Sequence, residues 1–295
     1  MACRQGDRHV RWIANRSDNL HCAGPAWTGS LPAVLPCETP IPMKTTIICI
    51  AGLQPGAGAT TTAVSLAHGL SLHGRRVLLT DLAPNNRCTA MLGLAPEPES
   101  TGLRTDDMDA QGNTALTSGI RFSRRHGLHL LSGRRPAEMI LSDRGCPDTF
   151  RQHPSIMAWQ VILINTSPAW ADLQERAIQA SDLAIIPTAT DPASIDGLAQ
   201  GMHRLGMLQE RKDWHGNLLG ILPTFYDAHA PEHVAAVQTL HERFPKSVLP
   251  VIHRSVLLET CTAAGWTIFE TDPLVRAAKD YLALIRIVRR ITEGK

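Results

Sequence analysis

The chain has 295 residues, 43% of them apolar and 19% charged, which fits one large or two small globular domains and excludes a disordered polymer. A formal charge of +2 gives no chain-wide attraction to nucleic acid, so any such binding needs a local patch. No apolar run approaches the roughly 20 residues that span a bilayer. The seven cysteines lack CxxC or Cys/His ligand spacing and read as reduced thiols of a cytosolic protein; the thirteen histidines show no metal spacing either, and no metal is assigned. With aromatics at 4%, the core must be aliphatic.

Residues 1–42 carry Trp12, Trp27, three cysteines and a run of prolines from Pro25 to Pro42, with no sustained period of 2 or 3.6. They lack the apolar core of a signal peptide. Two readings stand: a poorly ordered arm, or upstream sequence ahead of a start at Met43. Either way the expected domain is 43–295. Strands and helices then alternate. Thr45–Ala51 reads as a buried strand, and Thr60–His73 as a helix with Ala63, Leu66, Ala67 and Leu70 on one face. Arg75–Asp81 is a second strand. The polar segment 95–126 is expected to be a solvated loop or small excursion, Leu128–Leu131 a short strand, and Pro136 the start of a helix to Leu141. Val161–Ile164 is a continuous apolar strand of the kind a sheet covered on both faces requires. Helix at Ala171–Ala180, strand at Leu183–Pro187, helix at Ile195–Gln209 and strand at Leu218–Leu222 follow. His233–Arg243 is read as helix, Ser247–Val251 as strand and Asp272–Ile291 as a closing helix. Such repeated βα units imply an α/β fold, a doubly wound and mostly parallel sheet with helices on both faces.

The segment after the first strand holds Gly52, Gly56 and Gly58 and runs into Gly58-Ala-Thr-Thr-Thr62. Strand, glycine loop and helix N-terminus form the layout of a phosphate cradle, in which backbone N–H groups face an anion. Gly56, Ala57, Gly58, Ala59, Thr60 and Thr61 are the nucleotide-contact candidates, and Thr60 stands where a hydroxyl would meet Mg²⁺. Tight turns use glycine for steric reasons too, and Thr60 also suits a helix cap.

From Met43 onward the chain resembles the ParA/MinD family of deviant Walker ATPases, most of all its ParA (Soj-like) partition branch. The resemblance rests on six landmarks in order: Gln54-Pro-Gly-Ala-Gly-Ala-Thr60; Thr61-Thr-Ala-Val-Ser-Leu-Ala with Gly74-Arg-Arg-Val-Leu-Leu-Thr-Asp81-Leu-Ala-Pro84; Val161-Ile-Leu-Ile-Asn165-Thr-Ser-Pro168; Ser181-Asp-Leu-Ala-Ile-Ile-Pro187; Gly220-Ile-Leu-Pro-Thr-Phe-Tyr-Asp227; and His253-Arg-Ser-Val-Leu-Leu-Glu259. It implies a P-loop NTPase-like fold, ATP and Mg²⁺ as cofactors, and a dimer that positions DNA or other cargo.

The chain departs from the family at the charged positions. The signature lysine that reaches the partner's nucleotide is Gln54, the phosphate-binding loop lysine is Ala59, the Mg²⁺-supporting carboxylate is Asn165, and the second acid of the D-x-D-P motif is Ala83. Asp81 is retained as the one catalytic candidate, alongside the reading of a hydrogen-bonded carboxylate at a strand end. Asn165 also has the plain reading of a cap on the loop after its strand. Phosphoryl transfer depends on positioning and charge compensation, and loss of one preorganised group costs about 100- to 1,000-fold in rate. The expectation is a partition or positioning protein whose ATPase is lost or weak, the alternative a divergent ATPase that still turns over slowly.

The resemblance also implies nonspecific DNA binding through the basic last helix, for which Arg276, Arg286, Arg289 and Arg290 are candidates above an apolar stripe of Leu282, Ile285, Val288 and Ile291. The same pattern describes a solvated amphipathic helix. Arg124, Arg125, Arg134 and Arg135 form a second basic cluster. Expected partners are a second copy, an intact ParA-like protein, a ParB-like or cargo adaptor and DNA, in the cytoplasm or on the nucleoid, with no membrane anchor.

Overall fold

The computed structural model describes residues 45–95, 119–133, 158–168 and 171–293. The 1–42 arm, the proposed start at Met43, the Pro136–Leu141 helix and Arg134 and Arg135 lie outside the described residues.

Seven strands form one sheet in the order β3-β4-β2-β5-β1-β6-β7. They are β1 (Thr46–Ala51), β2 (Val77–Asp81), β3 (Ile120–Phe122), β4 (Leu128–Ser132), β5 (Val161–Thr166), β6 (Leu183–Ala189) and β7 (Asn217–Thr224). All neighbours pair in parallel except β3 with β4. β1, β2 and β5 are buried along nearly their whole length, and alternate residues feed two cores: Ile48 and Ile50 on one face, Ile47, Cys49 and Ala51 on the other. The helices are α1 (Ala59–Leu72), α2 (Arg87–Met91), α3 (Ala171–Gln179), α4 (Pro192–Glu210), α5 (Pro231–Arg243), α6 (Val256–Ala263), α7 (Ile268–Thr271) and α8 (Arg276–Thr292). The doubly wound α/β class holds. Cys49, Cys88 and Cys261 are buried free thiols.

Five local expectations need correction. The 95–126 excursion yields the antiparallel edge strand β3, too short at three residues to show a period. Arg87–Met91 is helical where no helix was expected. Ser247–Val251 does not join the sheet as a strand. Val248 makes an isolated bridge to Ile221, and Pro250 offers no N–H between the bonds from Leu249 N to Ile221 O (2.8 Å) and from Ile252 N to Pro223 O (2.8 Å). The closing helix begins at Arg276, preceded by α6 and α7. Finally, α1 is buried from Thr62 through Ser71 on every side, not on one face, because α2, α7 and α8 pack around it above the sheet.

The buried side of α8 is Ala277, Ala278, Tyr281, Leu284, Ile285 and Val288. Of the expected stripe, Leu282 is half-buried and Ile291 is 45% exposed. Arg125 is no part of a basic surface. It is 8% exposed and donates to Glu270 Oε2 (2.6 Å from Nη2), Leu92 O (2.9 Å) and Gly265 O (3.0 Å), tying the β3–β4 turn to α2 and α7. Beside it His68 Nδ1 lies 2.6 Å from Thr267 Oγ1.

Burial lowers the pKa of His68 from 6.5 to about 4, so the folded chain binds no proton there until well after the unfolded chain has done so. Burial alone would raise Glu270, but hydrogen bonds from Arg125 and the Thr267 N–H hold it below the usual carboxylate range, so its contribution is lost only as pH falls further. Stability is therefore expected to fall as pH is lowered from about 6.5 to about 4, with uptake of roughly one proton on unfolding. Thermal unfolding of His68→Asn across that window should show a flatter pH dependence than the parent chain.

Candidate functional site

Residues at the C-terminal ends of β1, β2 and β7, with α2, α6 and α8, enclose a cleft of about 610 Å³. Its floor is the loop between β1 and α1. Gly56 (φ 80°) and Gly58 (φ 79°) adopt the left-handed conformation that an L side chain avoids, and this turns the loop into the first turn of α1. Gly58 is the N-cap, so Thr60 is not the cap; it lies within the helix. Side-chain hydrogen bonds to three other elements fix the loop. Gln174 Nε2 of α3 donates to Gly52 O at 2.9 Å, Thr224 Oγ1 of β7 donates to Ala57 O at 3.0 Å, and Gln54 Nε2 donates to Ala193 O of α4 at 3.3 Å. Gln54 lies so close to α4 that a Cβ at Gly197 would come within 1.7 Å of its amide nitrogen. Position 54 is thus folded onto its own chain.

Beneath the loop, parallel register sets Asp81 of β2 beside Asn165 of β5, with Ile50 of β1 on the other side. Asn165 is wholly buried and Asp81 is 1% exposed. Asp81 accepts from Asn165 Nδ2 (2.8 Å), Cys88 N (2.9 Å) and Ala83 N (3.1 Å). The two backbone bonds fold the 82–88 turn over the strand end. Burial pushes the Asp81 carboxyl up, against the pull of those three donors, and burial with the nearby Asp81 charge holds the Cys88 thiol well above its ordinary value. The same Asn165 amide nitrogen lies 3.4 Å from Thr60 Oγ1. With Asp81 ionised its oxygens only accept, and the contact then assigns this atom as the N–H₂ end of the amide. Asn165 Oδ1 is buried without a partner. Asn165 is therefore a bridge between Asp81 and α1 inside β5, not a cap on the following loop.

The opposite wall carries Phe225 and His253, which lie in two of the sequence landmarks but had no site role assigned to them. Phe225 has a left-handed backbone (φ 56°), and its ring carbons come within 3.5 Å of a Cβ built at Gly58. His253 lines the cleft; its Nδ1 and backbone N both meet Asp280 Oδ2, at 2.8 and 2.9 Å, while its Nε2 is buried with no partner. Tyr281 OH lies 3.3 Å from Thr62 Oγ1, joining α8 to α1. Arg87 is exposed on the cleft wall. These residues come from separate elements and share no motif; the positive φ of Phe225 has no sequence signal.

Of the nucleotide-contact candidates, Gly56, Ala57, Gly58, Ala59, Thr60 and Thr61 all line this one cleft. Asp81 and Asn165 sit under it. Arg276, Arg286, Arg289 and Arg290 lie on α8, with Arg276, Arg286 and Arg290 exposed and Arg289 donating to Glu293 at 3.2 Å.

Asn165→Asp would set a second carboxylate against Asp81 in a buried site. The variant is expected to lose about 1–3 kcal/mol at pH 7.5 and to regain part of it towards pH 5, where one of the pair takes up a proton. Denaturant unfolding at the two pH values reads this directly.

Comparison with known proteins places the cleft in a family. Residues 48–268 match the family described as "CobQ/CobB/MinD/ParA nucleotide binding domain". The chromosome-partitioning ATPase Soj of Thermus thermophilus is 27% identical over 254 residues, 84% of this chain and 97% of that one. The sporulation initiation inhibitor protein Soj of Bacillus subtilis is 28% identical over 250 residues, 82% and 97% of the two chains. Among solved structures, the fold is similar to that of Cyanothece McdA in complex with ATP, with a TM-score of 0.68 at 20% identity over 84% of this chain and 96% of that one. With the glycine loop, the parallel sheet and the order of landmarks in agreement, the chain belongs to the ParA/MinD family of nucleotide-binding domains.

Proposed function

We propose that this chain is a ParA-like module for DNA segregation or intracellular cargo positioning that works by binding and not by ATP turnover. The observation that carries the reading is the Asn165 contact: an amide N–H faces Thr60 Oγ1 where a metal-linked hydroxyl needs lone-pair donors around it. The residues present do not fit Mg²⁺. Around them the loop offers Ala59 where the family has its lysine, Gln54 is turned onto α4, and Ala83 replaces the second acid. Two cations and two carboxylates are missing together relative to the family pattern, which leaves the cradle near charge balance and able to stand without a metal ion. Asp81 acts in this reading as the anchor of the 82–88 turn.

Relatives named as partitioning proteins, and an ATP-bound McdA as structural neighbour, support a role in positioning and a nucleotide-shaped cleft. The MinC:MinD complex of Aquifex aeolicus, at a TM-score of 0.66, supports action through a protein partner. In this proposal the chain pairs with a second copy or with an intact ParA-like protein, and engages a ParB-like or cargo adaptor in the cytoplasm or on the nucleoid. Among the described residues no helix is long and apolar enough to cross a membrane.

Purified protein with Mg²⁺ and ATP is expected to turn over at least about 100-fold more slowly than an intact family member under the same conditions; comparable turnover would return the chain to the divergent-ATPase reading. The exposed Arg286 and Arg290 support a DNA contact on the α8 face. If it exists, Arg286→Ala with Arg290→Ala should reduce the slope of log affinity against log salt by about 2. Unchanged DNA retention would remove that contact.

A further inference from the structure

We propose that Arg87 is the cleft's phosphate-binding cation and that the cleft takes a phosphorylated small molecule without a divalent metal. The inference rests on the reading of the cleft as a ligand site but not on loss of turnover. In sequence Arg87 stands far from the glycine loop, and no Lys or Arg occurs between Gln54 and Thr62. The fold removes that distance. Asp81 accepts from the backbone N–H groups of Ala83 and Cys88, and this brings the turn ending in Arg87 to the wall of the cleft floored by Gly56, Gly58 and Thr60.

Arg87 is exposed and makes no ion pair among the described residues. The other ionisable side chains on the cleft lining are His253, held by Asp280, Glu259 and the Tyr281 phenol. A guanidinium presents donors in a planar fork that matches two oxygens of a phosphate. Metal independence follows from Asn165, whose N–H₂ end, fixed by Asp81, is turned to the Thr60 hydroxyl.

The test is calorimetric titration of the full chain with ADP, in EDTA and in Mg²⁺. The parent should bind ADP with affinities equal within about threefold in the two buffers. Arg87→Ala should weaken binding by about tenfold or more, the range for hydrogen bonds to charged groups, with Arg87→Lys recovering part of the loss. Arg243→Ala, on α5 away from the cleft lining, should bind as the parent does, and all variants should melt together without ligand. Equal binding by Arg87→Ala overturns the role of Arg87. A strict requirement for Mg²⁺ overturns metal independence. Absence of ADP binding by the parent in both buffers overturns the ligand site itself, while the proposed lack of turnover would stand.

Discussion

The contact between Asp81 and Asn165 is the one on which the site depends. Parallel register of β2 and β5 places the two buried side chains together, and burial pushes the lone carboxyl's pKa up. The Asn165 amide and two backbone N–H groups offset that cost. One carboxylate then organises three parts of the cleft: the strand end, the turn to Arg87 and, through Asn165, the first turn of α1. A second carboxylate at position 165 would instead require a cation nearby. In the proposed reading, Ala59 and Asn165 therefore belong to one electrostatic problem, and charging either alone leaves the site unbalanced.

Much of the fold was legible in the sequence because a parallel sheet buries both faces of its strands. Val161–Ile164 and Leu183–Pro187 are uninterrupted apolar runs, and such runs have few other destinations in a chain this size. The short elements were not legible. β3 has three residues, α2 five and α7 four, fewer than one period needs to declare itself. Ser247–Val251 has a strand's composition, yet Pro250 interrupts its ladder. Arg125 is the instructive failure among charges. Next to Arg124 it suggests a basic surface, whereas its guanidinium is spent on Glu270 and two backbone carbonyls.

The site divides in the same way. The loop could be read because glycine spacing, strand and helix are local in sequence. The meaning of Asn165 could not, since a strand-end amide has several uses and only the register with Asp81 selects one. Phe225, Arg87 and the His253–Asp280 pair arrive from distant elements, and their adjacency is a product of topology.

The enclosure of α1 has a mechanical consequence. A helix buried on all sides cannot slide or tilt without carrying its neighbours, since packed interiors resist gaps. The hydroxyl contact from Thr62 to Tyr281 couples it to α8, whose outer side carries Arg286 and Arg290. The glycine loop and the outer side of α8 are thus joined through one buried helix and a single hydroxyl contact.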